Sequence, residues 1–270
     1  MSAGKETGSV LEAILARTRE RVEQERRLRP LAELRAAARD APPARPFAAA
    51  LSRPGRVNVI AEHKRRSPSR GAIREDLEPG DVARRYEQAG AAALSFLTDE
   101  AFFGGRLSHL AEARASASLP LLRKDFLVDR WQVWEARAAG ADAVLLIVAA
   151  LTDGSLRGLL AEAGEAGVDA LVEVHDAAEL ARGLGAGARV VGVNNRDLRT
   201  LAVSLAPSLA LAPAIPDDVV AVAESGIRSG RDLRELRAAG FDAFLVGEHL
   251  MSAPDPGAAL LRLIREAEAA

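Results

Sequence analysis

Glu62, Lys64, Lys124, Glu173 and Glu224 each stand in or directly after a short apolar run of this chain. In an extended strand residues i and i+2 point the same way, so Glu62 and Lys64 share one face and His63 takes the other. A carboxylate and an ammonium side by side at the end of an apolar strand are costly to bury without a function. A solvated strand end with an ordinary ion pair is the plain alternative. Set on one rim, these five groups form a mixed ring of acids and bases. Such a ring pushes pKa values apart, with one lysine as general acid and one glutamate as general base. Asn194 and Arg196 also share a face by the i, i+2 rule, and can hold a substrate hydroxyl and a carboxylate.

The elements that must position these groups follow a rhythm. Apolar runs fall at residues 57–61, 92–97, 121–122, 143–148, 170–174, 190–193, 219–223 and 243–246. Between and after them, helical periodicity marks 81–89, 107–115, 131–139, 156–166, 177–184, a weak stretch at 204–211, 231–239 and 257–266. Gly90, Gly140, Gly167 and Gly240 close four of these helices just before the next strand. Near-continuous apolar strands alternating with helices predict a parallel sheet buried on both faces. Eight such units predict a closed (β/α)8 TIM barrel. A doubly wound open sheet is disfavoured, because no Gly-x-Gly-x-x-Gly follows the first strand. Ahead of the barrel, 10–28 reads as an amphipathic helix and 31–38 as a second, with a proline-rich link through Pro46. The expectation is one barrel domain over 1–270, of which 1–50 is an N-terminal helical extension packed on its body.

In such a barrel chemistry sits at the C-terminal ends of the strands. Every predicted strand except the fourth ends there in polar residues or glycine. Ser225-Gly226 and Gly247-Glu248 stand where barrels commonly hold a phosphate, and Lys64 and Ser67 can complete that clamp. Tight turns are the other reading of these glycines. Phe102 and Phe103, followed by Gly104-Gly105, read either as core or as the wall of an aromatic-ligand site. The four histidines are scattered over four units. A His/carboxylate site around His175 is the one metal arrangement to weigh. No pair has ligand spacing, so no metal is expected.

Bulk properties exclude several classes. The chain has 270 residues, is 49% hydrophobic and carries a net charge of −2, which argues against nucleic acid or a charged membrane as partner. With no cysteine, disulfides and thiolate metal sites are ruled out. Residues 1–7 are polar with no apolar segment behind them, and no apolar run is long enough to span a bilayer. A cytoplasmic, monomeric protein acting on a small molecule is expected.

Ile60-Ala61-Glu62-His63-Lys64-Arg65-Arg66-Ser67-Pro68-Ser69 resembles the first-strand signature of the indole-3-glycerol phosphate synthase family of tryptophan biosynthesis. Leu97-Thr98-Asp99 with Phe102-Phe103-Gly104-Gly105, and Leu122-Arg123-Lys124-Asp125-Phe126, resemble its second and third. Leu171-Val172-Glu173-Val174, Gly192-Val193-Asn194-Asn195-Arg196-Asp197-Leu198, Ala223-Glu224-Ser225-Gly226-Ile227 and Phe244-Leu245-Val246-Gly247 follow in order. The resemblance implies ring closure of 1-(2-carboxyphenylamino)-1-deoxyribulose 5-phosphate with loss of CO2 and water. No cofactor is implied, since rearomatisation drives the decarboxylation. It implies Lys124 as general acid on the ribulose carbonyl and Glu173 as general base in the dehydration. Lys64 would contact the substrate carboxylate or phosphate, with a share of the acid role left open. Glu62 and Asn194 would position Lys124 and the substrate hydroxyls, and Glu224 and Ser225 would line the pocket. Ser67, Gly226 and Gly247 would hold the phosphate, Phe103 and Phe126 would lie against the anthranilate ring, and Arg196 would help hold the carboxylate or order the site. His63, Asn195 and Glu248-His249 depart from the family's common residues. Glu248 places a carboxylate beside the expected phosphate, so a backbone contact is expected there. A phosphosugar isomerase and a non-catalytic phosphate-binding barrel are the competing readings; the first favours a Cys/Asp pair that this chain lacks.

Overall fold

The computed structural model describes residues 10–68, 70–197 and 200–269. Motif positions Ser69 and Leu198, and the polar start at 1–7, lie outside the described residues. Eight parallel strands close on themselves: β1 (Asn58–His63), β2 (Ala93–Leu97), β3 (Leu121–Lys124), β4 (Ala143–Ile147), β5 (Asp169–Val174), β6 (Val190–Asn194), β7 (Val220–Glu224) and β8 (Ala243–Val246). β1 pairs with both β2 and β8, which seals the barrel. The (β/α)8 TIM barrel predicted from the strand–helix rhythm is the fold of this chain.

Three helices precede β1: α1 (Val10–Leu28), α2 (Leu31–Asp40) and α3 (Phe47–Leu51). The outer ring is α4 (Pro79–Gln88), α5 (Leu107–Ser116), α6 (Arg130–Ala138), α7 (Asp153–Ala166), α8 (Ala177–Gly185), α9 (Ala206–Leu211), α10 (Gly230–Ala238) and α11 (Pro256–Glu268). α9 is short and passes into a 3-10 turn at Ala212–Ala214. Pro213 and Pro216 lack the amide hydrogens that a longer helix needs. Among the described residues no helix is long and apolar enough to cross a membrane.

Strand alternation sorts the core into two parts. Ile60, Leu122, Leu145, Leu171, Val222 and Leu245 point into the barrel and cluster with Phe47 and Leu51 of α3. Residues of the opposite parity, such as Val59, Leu94, Val144, Val172 and Val191, pack outward among the helices. α3 is therefore a plug at the N-terminal end of the barrel. Phe47 and Leu51 are fully buried, and each such side chain contributes roughly 1.5–3 kcal/mol. Polar ties hold the plug in place. Asn58 Nδ2 donates to Leu51 O at 2.8 Å, and the Ala48 N–H donates to Asp169 Oδ2 at 2.9 Å. With that end filled, only the C-terminal end is left for a cavity.

The outward parity of β1 carries His63. Its ring stacks on Phe96 at 5.0 Å between centroids and meets His109 of α5 edge-on at 5.8 Å. Burial, with His109 and Arg65 adding to it, pushes the His63 pKa down to about 3. The unfolded chain protonates His63 near its ordinary 6.5 while the folded state stays neutral, so stability is lost as pH falls through the window between the two values. His63→Phe keeps the stacking and removes the titration. Its melting temperature relative to wild type is expected to rise steadily from pH 6.5 to pH 4. A pH-independent difference in thermal melts would contradict this account.

Candidate active site

The same alternation that fills the barrel also arms its open end. Two residues beyond the inward apolar layer, β1, β3, β5, β6 and β7 present Glu62, Lys124, Glu173, Asn194 and Glu224. Register brings neighbours level: Asn194 pairs with Glu224, and Glu173 with Gly192. β4 contributes Leu145 and Ile147, which leaves one side of the ring apolar. These residues floor a cavity of about 690 Å3, within the usual size of a small-molecule site.

Lys124 is the centre of the charge arrangement. Its Nζ lies 3.2 Å from Glu173 Oε2 and 3.3 Å from Glu224 Oε2. Burial opposes its charge, but Glu173, Glu224 and Glu62 outweigh burial and raise its pKa above the ordinary lysine value. Glu62 itself pairs with Lys64, Oε1 to Nζ at 2.9 Å. The contacts on Lys124 thus come from Glu173 and Glu224, while Glu62 and Asn194, expected to position it, act one step away. Asn194 Nδ2 donates to Glu173 Oε1 at 3.1 Å, and Asn194 Oδ1 accepts the Arg196 N–H at 3.1 Å. These two bonds orient the amide in one sense only.

The two carboxylates facing Lys124 differ in protonation. Burial raises Glu173, but Lys124, His175 and the Asn194 hydrogen bond hold it below the ordinary value. For Glu224 burial wins, reinforced by Glu173 and Glu62, and its pKa is pushed up to about 8. The one polar side chain against Glu224 among the described contacts is Lys124, at 3.3 Å. One carboxylate ready to accept a proton and one that holds a proton now flank a single ammonium, the pairing that acid–base catalysis uses.

Space for these carboxylates comes from glycine. A Cβ at Gly192 would overlap Glu224 Oε1, and a Cβ at Gly247 would overlap Glu62 Oε1. Gly192 opens the sixth-strand motif but was given no role there; its signal was an isolated glycine inside a β-branched strand. After β7 the chain turns through Ser225 at φ 66° and Gly226 at φ 84°. A non-glycine residue in the left-handed region costs about 1–3 kcal/mol, a strain typical of functional turns.

The loops complete the rim. Ser225, Gly226, Gly247, Glu248, Arg196, Phe103 and Phe126 all line the main cavity. Phe103 and Phe126 face each other at 6.1 Å; Phe102 is not in the lining. Glu248 turns its side chain to two arginines, 3.0 Å from Arg70 Nη1 and 3.2 Å from Arg196 Nη2. Arg70 escaped the sequence reading because only folding brings the first loop over the last. Ser67 is buried and lines a smaller neighbouring pocket of about 100 Å3, apart from Gly226 and Gly247. That pocket is apolar and is roofed by Val10, Leu11 and Ile14 of α1, with Phe103 and Phe126 shared between the two. α1 is also tied to the rim by Arg21, 3.2 Å from buried Asp125. Among the described residues no group of three or more His, Cys, Asp or Glu is arranged to hold a metal ion.

The family model for indole-3-glycerol phosphate synthase matches residues 11–263. The chain belongs to the indole-3-glycerol phosphate synthase family. Indole-3-glycerol phosphate synthase 2 of Streptomyces coelicolor is 51% identical over 94% of this chain and 98% of its own length. The Aromatoleum aromaticum indole-3-glycerol phosphate synthase is 49% identical with the same coverage. Among solved structures, 3-hexulose-6-phosphate synthase from Salmonella typhimurium superposes with a TM-score of 0.63 at 13% identity, over 77% of this chain and 97% of that one. That likeness is one of fold. Within this family member, the linkage at Glu224 is open to measurement. The folded state holds a proton that the unfolded state releases above 4.5, so stability is lost as pH rises toward 8. Glu224→Gln is expected to gain in melting temperature relative to wild type between about pH 5 and pH 8, with the gain growing with pH. A gain that does not vary with pH would place the ionised form in the fold.

Proposed function

We propose that this chain catalyses ring closure of 1-(2-carboxyphenylamino)-1-deoxyribulose 5-phosphate to indole-3-glycerol phosphate, with loss of CO2 and water, in tryptophan biosynthesis. The observation that carries the reading is Lys124, an ammonium held between buried Glu173 and Glu224 on the floor of a cavity of about 690 Å3. Lys124 is the general acid. It donates a hydrogen bond and then a proton to the ribulose carbonyl oxygen as the ring carbon that bears the carboxylate attacks. That attack breaks aromaticity and places positive charge on the anilino nitrogen, which Glu62 and Glu173 stabilise across the low-dielectric floor. Departure of CO2 returns the electron pair to the ring. Glu173 then takes a proton from the neighbouring methylene carbon while the new hydroxyl leaves as water.

The remaining groups place the substrate. Its phosphate lies at the Ser225–Gly226 and Gly247 end of the cavity, whose lining also includes Arg70 and Arg196. Its anthranilate ring lies against Phe103 and Phe126, with Lys64 toward the carboxylate. Ser67 serves from the smaller pocket under α1. Asn194 holds Glu173 and a substrate hydroxyl. The chain acts in the cytoplasm as a monomer.

Purified protein is expected to release fluorescent indole-3-glycerol phosphate from this substrate. Lys124→Ala is expected to lose at least about 10³-fold in kcat, the size of a positioned proton donor combined with transition-state charge stabilisation. Absence of product from folded wild-type protein would overturn the proposal. A Lys124→Ala variant close to wild type, beside an inactive Lys64→Ala, would move the acid role to Lys64.

A further inference from the structure

We propose that His175, backed by Glu179, delivers a solvent proton to Glu173 in each turnover and so replaces the proton that the ring-closing reaction consumes. The inference rests on the reaction proposed above. In that reaction the carbonyl oxygen leaves as water and so acquires two protons. The methylene carbon gives up one. The carboxylate leaves as CO2 and yields none. One proton per turnover must therefore enter from solvent. The proton that Glu173 removes from carbon can pass straight to Lys124, 3.2 Å away. The second has to reach the same pair while substrate fills the cavity above it.

The geometry supplies a route from the other side. Glu173 lines the cavity and His175 does not. His175 follows the end of β5, and its Nε2 lies 3.5 Å from Glu173 Oε1. Its Nδ1 lies 3.0 Å from Glu179 Oε2, which also accepts the His175 backbone N–H at 2.9 Å. Glu179, on the first turn of α8, thereby fixes the tautomer: Nδ1 carries hydrogen and donates to it. In the neutral ring the Nε2 lone pair then faces a carboxylate oxygen. This accounts for a separation longer than a good hydrogen bond and for an Nε2 that has no hydrogen-bond partner. A proton arriving at Nε2 turns that contact into a charge-assisted hydrogen bond aimed at Glu173. His175 and Glu179 side chains are 14% and 17% exposed, so solvent reaches the outer end of the chain while Glu173 stays at 2%.

The surroundings favour the charged ring. Burial lowers the His175 pKa, but the Glu179 hydrogen bond and the charges of Glu173 and Glu179 outweigh burial and raise it. Lys124 of β3 faces it only through Glu173. Of the other cations at the cavity, Lys64 is engaged by Glu62 and Arg196 by Glu248. The transfer makes and breaks only N–H and O–H bonds. The charged ring releases its Nε2 proton to Glu173 Oε1, Glu173 passes one from Oε2 to Lys124, and the neutral ring takes a new proton from hydronium or buffer acid when the imidazole turns its buried Nε2 edge outward.

The test is the pH dependence of kcat for wild type, His175→Asn and Glu179→Gln, each first checked for folding by its thermal melt. Wild type is expected to lose rate on the alkaline side as His175 deprotonates. His175→Asn is expected to lose about 100-fold in kcat, the low end of what a positioned proton-transfer group contributes, with KM little changed. Its alkaline limb disappears, and free imidazole in the buffer restores part of the rate. Glu179→Gln keeps the relay but shifts the alkaline limb to lower pH, and tests the idea even if His175→Asn does not fold. Wild-type kcat and limb in His175→Asn would overturn the relay, as would a slow His175→Asn with the wild-type limb and no imidazole rescue. Both results leave the ring-closure reading standing. A folded wild type that forms no indole-3-glycerol phosphate overturns that reading and this one together.

Discussion

One half-buried ammonium between two buried carboxylates sets the terms for the rest of this structure. Lys124 keeps its charge there because Glu173 and Glu224 lie 3.2 and 3.3 Å from it. Three ionisable groups this close cannot titrate independently. The carboxylates raise the Lys124 pKa, Lys124 and its neighbours hold Glu173 below the ordinary value, and burial with its acidic neighbours pushes Glu224 up. An acid and a base thus coexist a few ångströms apart without neutralising each other. The burial that makes the cluster costly also makes its charges effective, since they act through a low-dielectric floor.

Such a cluster needs a rigid mount. Each of its members sits at the end of a strand in a closed barrel, two residues above a layer of apolar side chains. Closure removes the free edges that would let a strand slip, and register then fixes which side chains are level. The α3 plug fills the far end, so the interior offers one open face. Glycines at 192 and 247 leave gaps into which Glu224 and Glu62 fold. Behind β3, Arg123 is fully buried with Asp125 at 2.9 Å and Glu135 at 2.8 Å. This network grips both sequence neighbours of the lysine backbone, and Arg21 of α1 joins it through Asp125.

The rim is built differently, from loops that are distant in sequence. Glu248 bridges Arg70 and Arg196, so the loops after β1, β6 and β8 meet over one carboxylate. The departure from the family at Glu248 therefore does not leave a bare negative charge beside the phosphate end. α1 closes the other side, and Val10, Leu11 and Ile14 give the aromatic pair Phe103 and Phe126 an apolar roof. Charge gathers at one end of the mouth and apolar surface at the other, a division that suits a ligand with a phosphate at one end and an aryl ring at the other.

The sequence by itself determined the barrel, the order of its strands and helices, and most of the residues expected at its open end that line the cavity there. Those features follow from periodicity: apolar runs, helical spacing and glycine stops are local, and the two-residue period of a strand says which of Glu62, His63 and Lys64 face together. Family motifs added the chemistry. Tertiary structure alone decided who partners whom. Lys124 could have met Glu62, but the stagger of the strands delivers Glu173 and Glu224 to it and gives Glu62 to Lys64. Gly192, Arg70 and the reach of α1 over the mouth carried no reading as site features, because each matters only through a neighbour far along the chain. The protonation states belong to the same class. Two glutamates with the same ordinary pKa move in opposite directions because burial and through-space charge are properties of the fold.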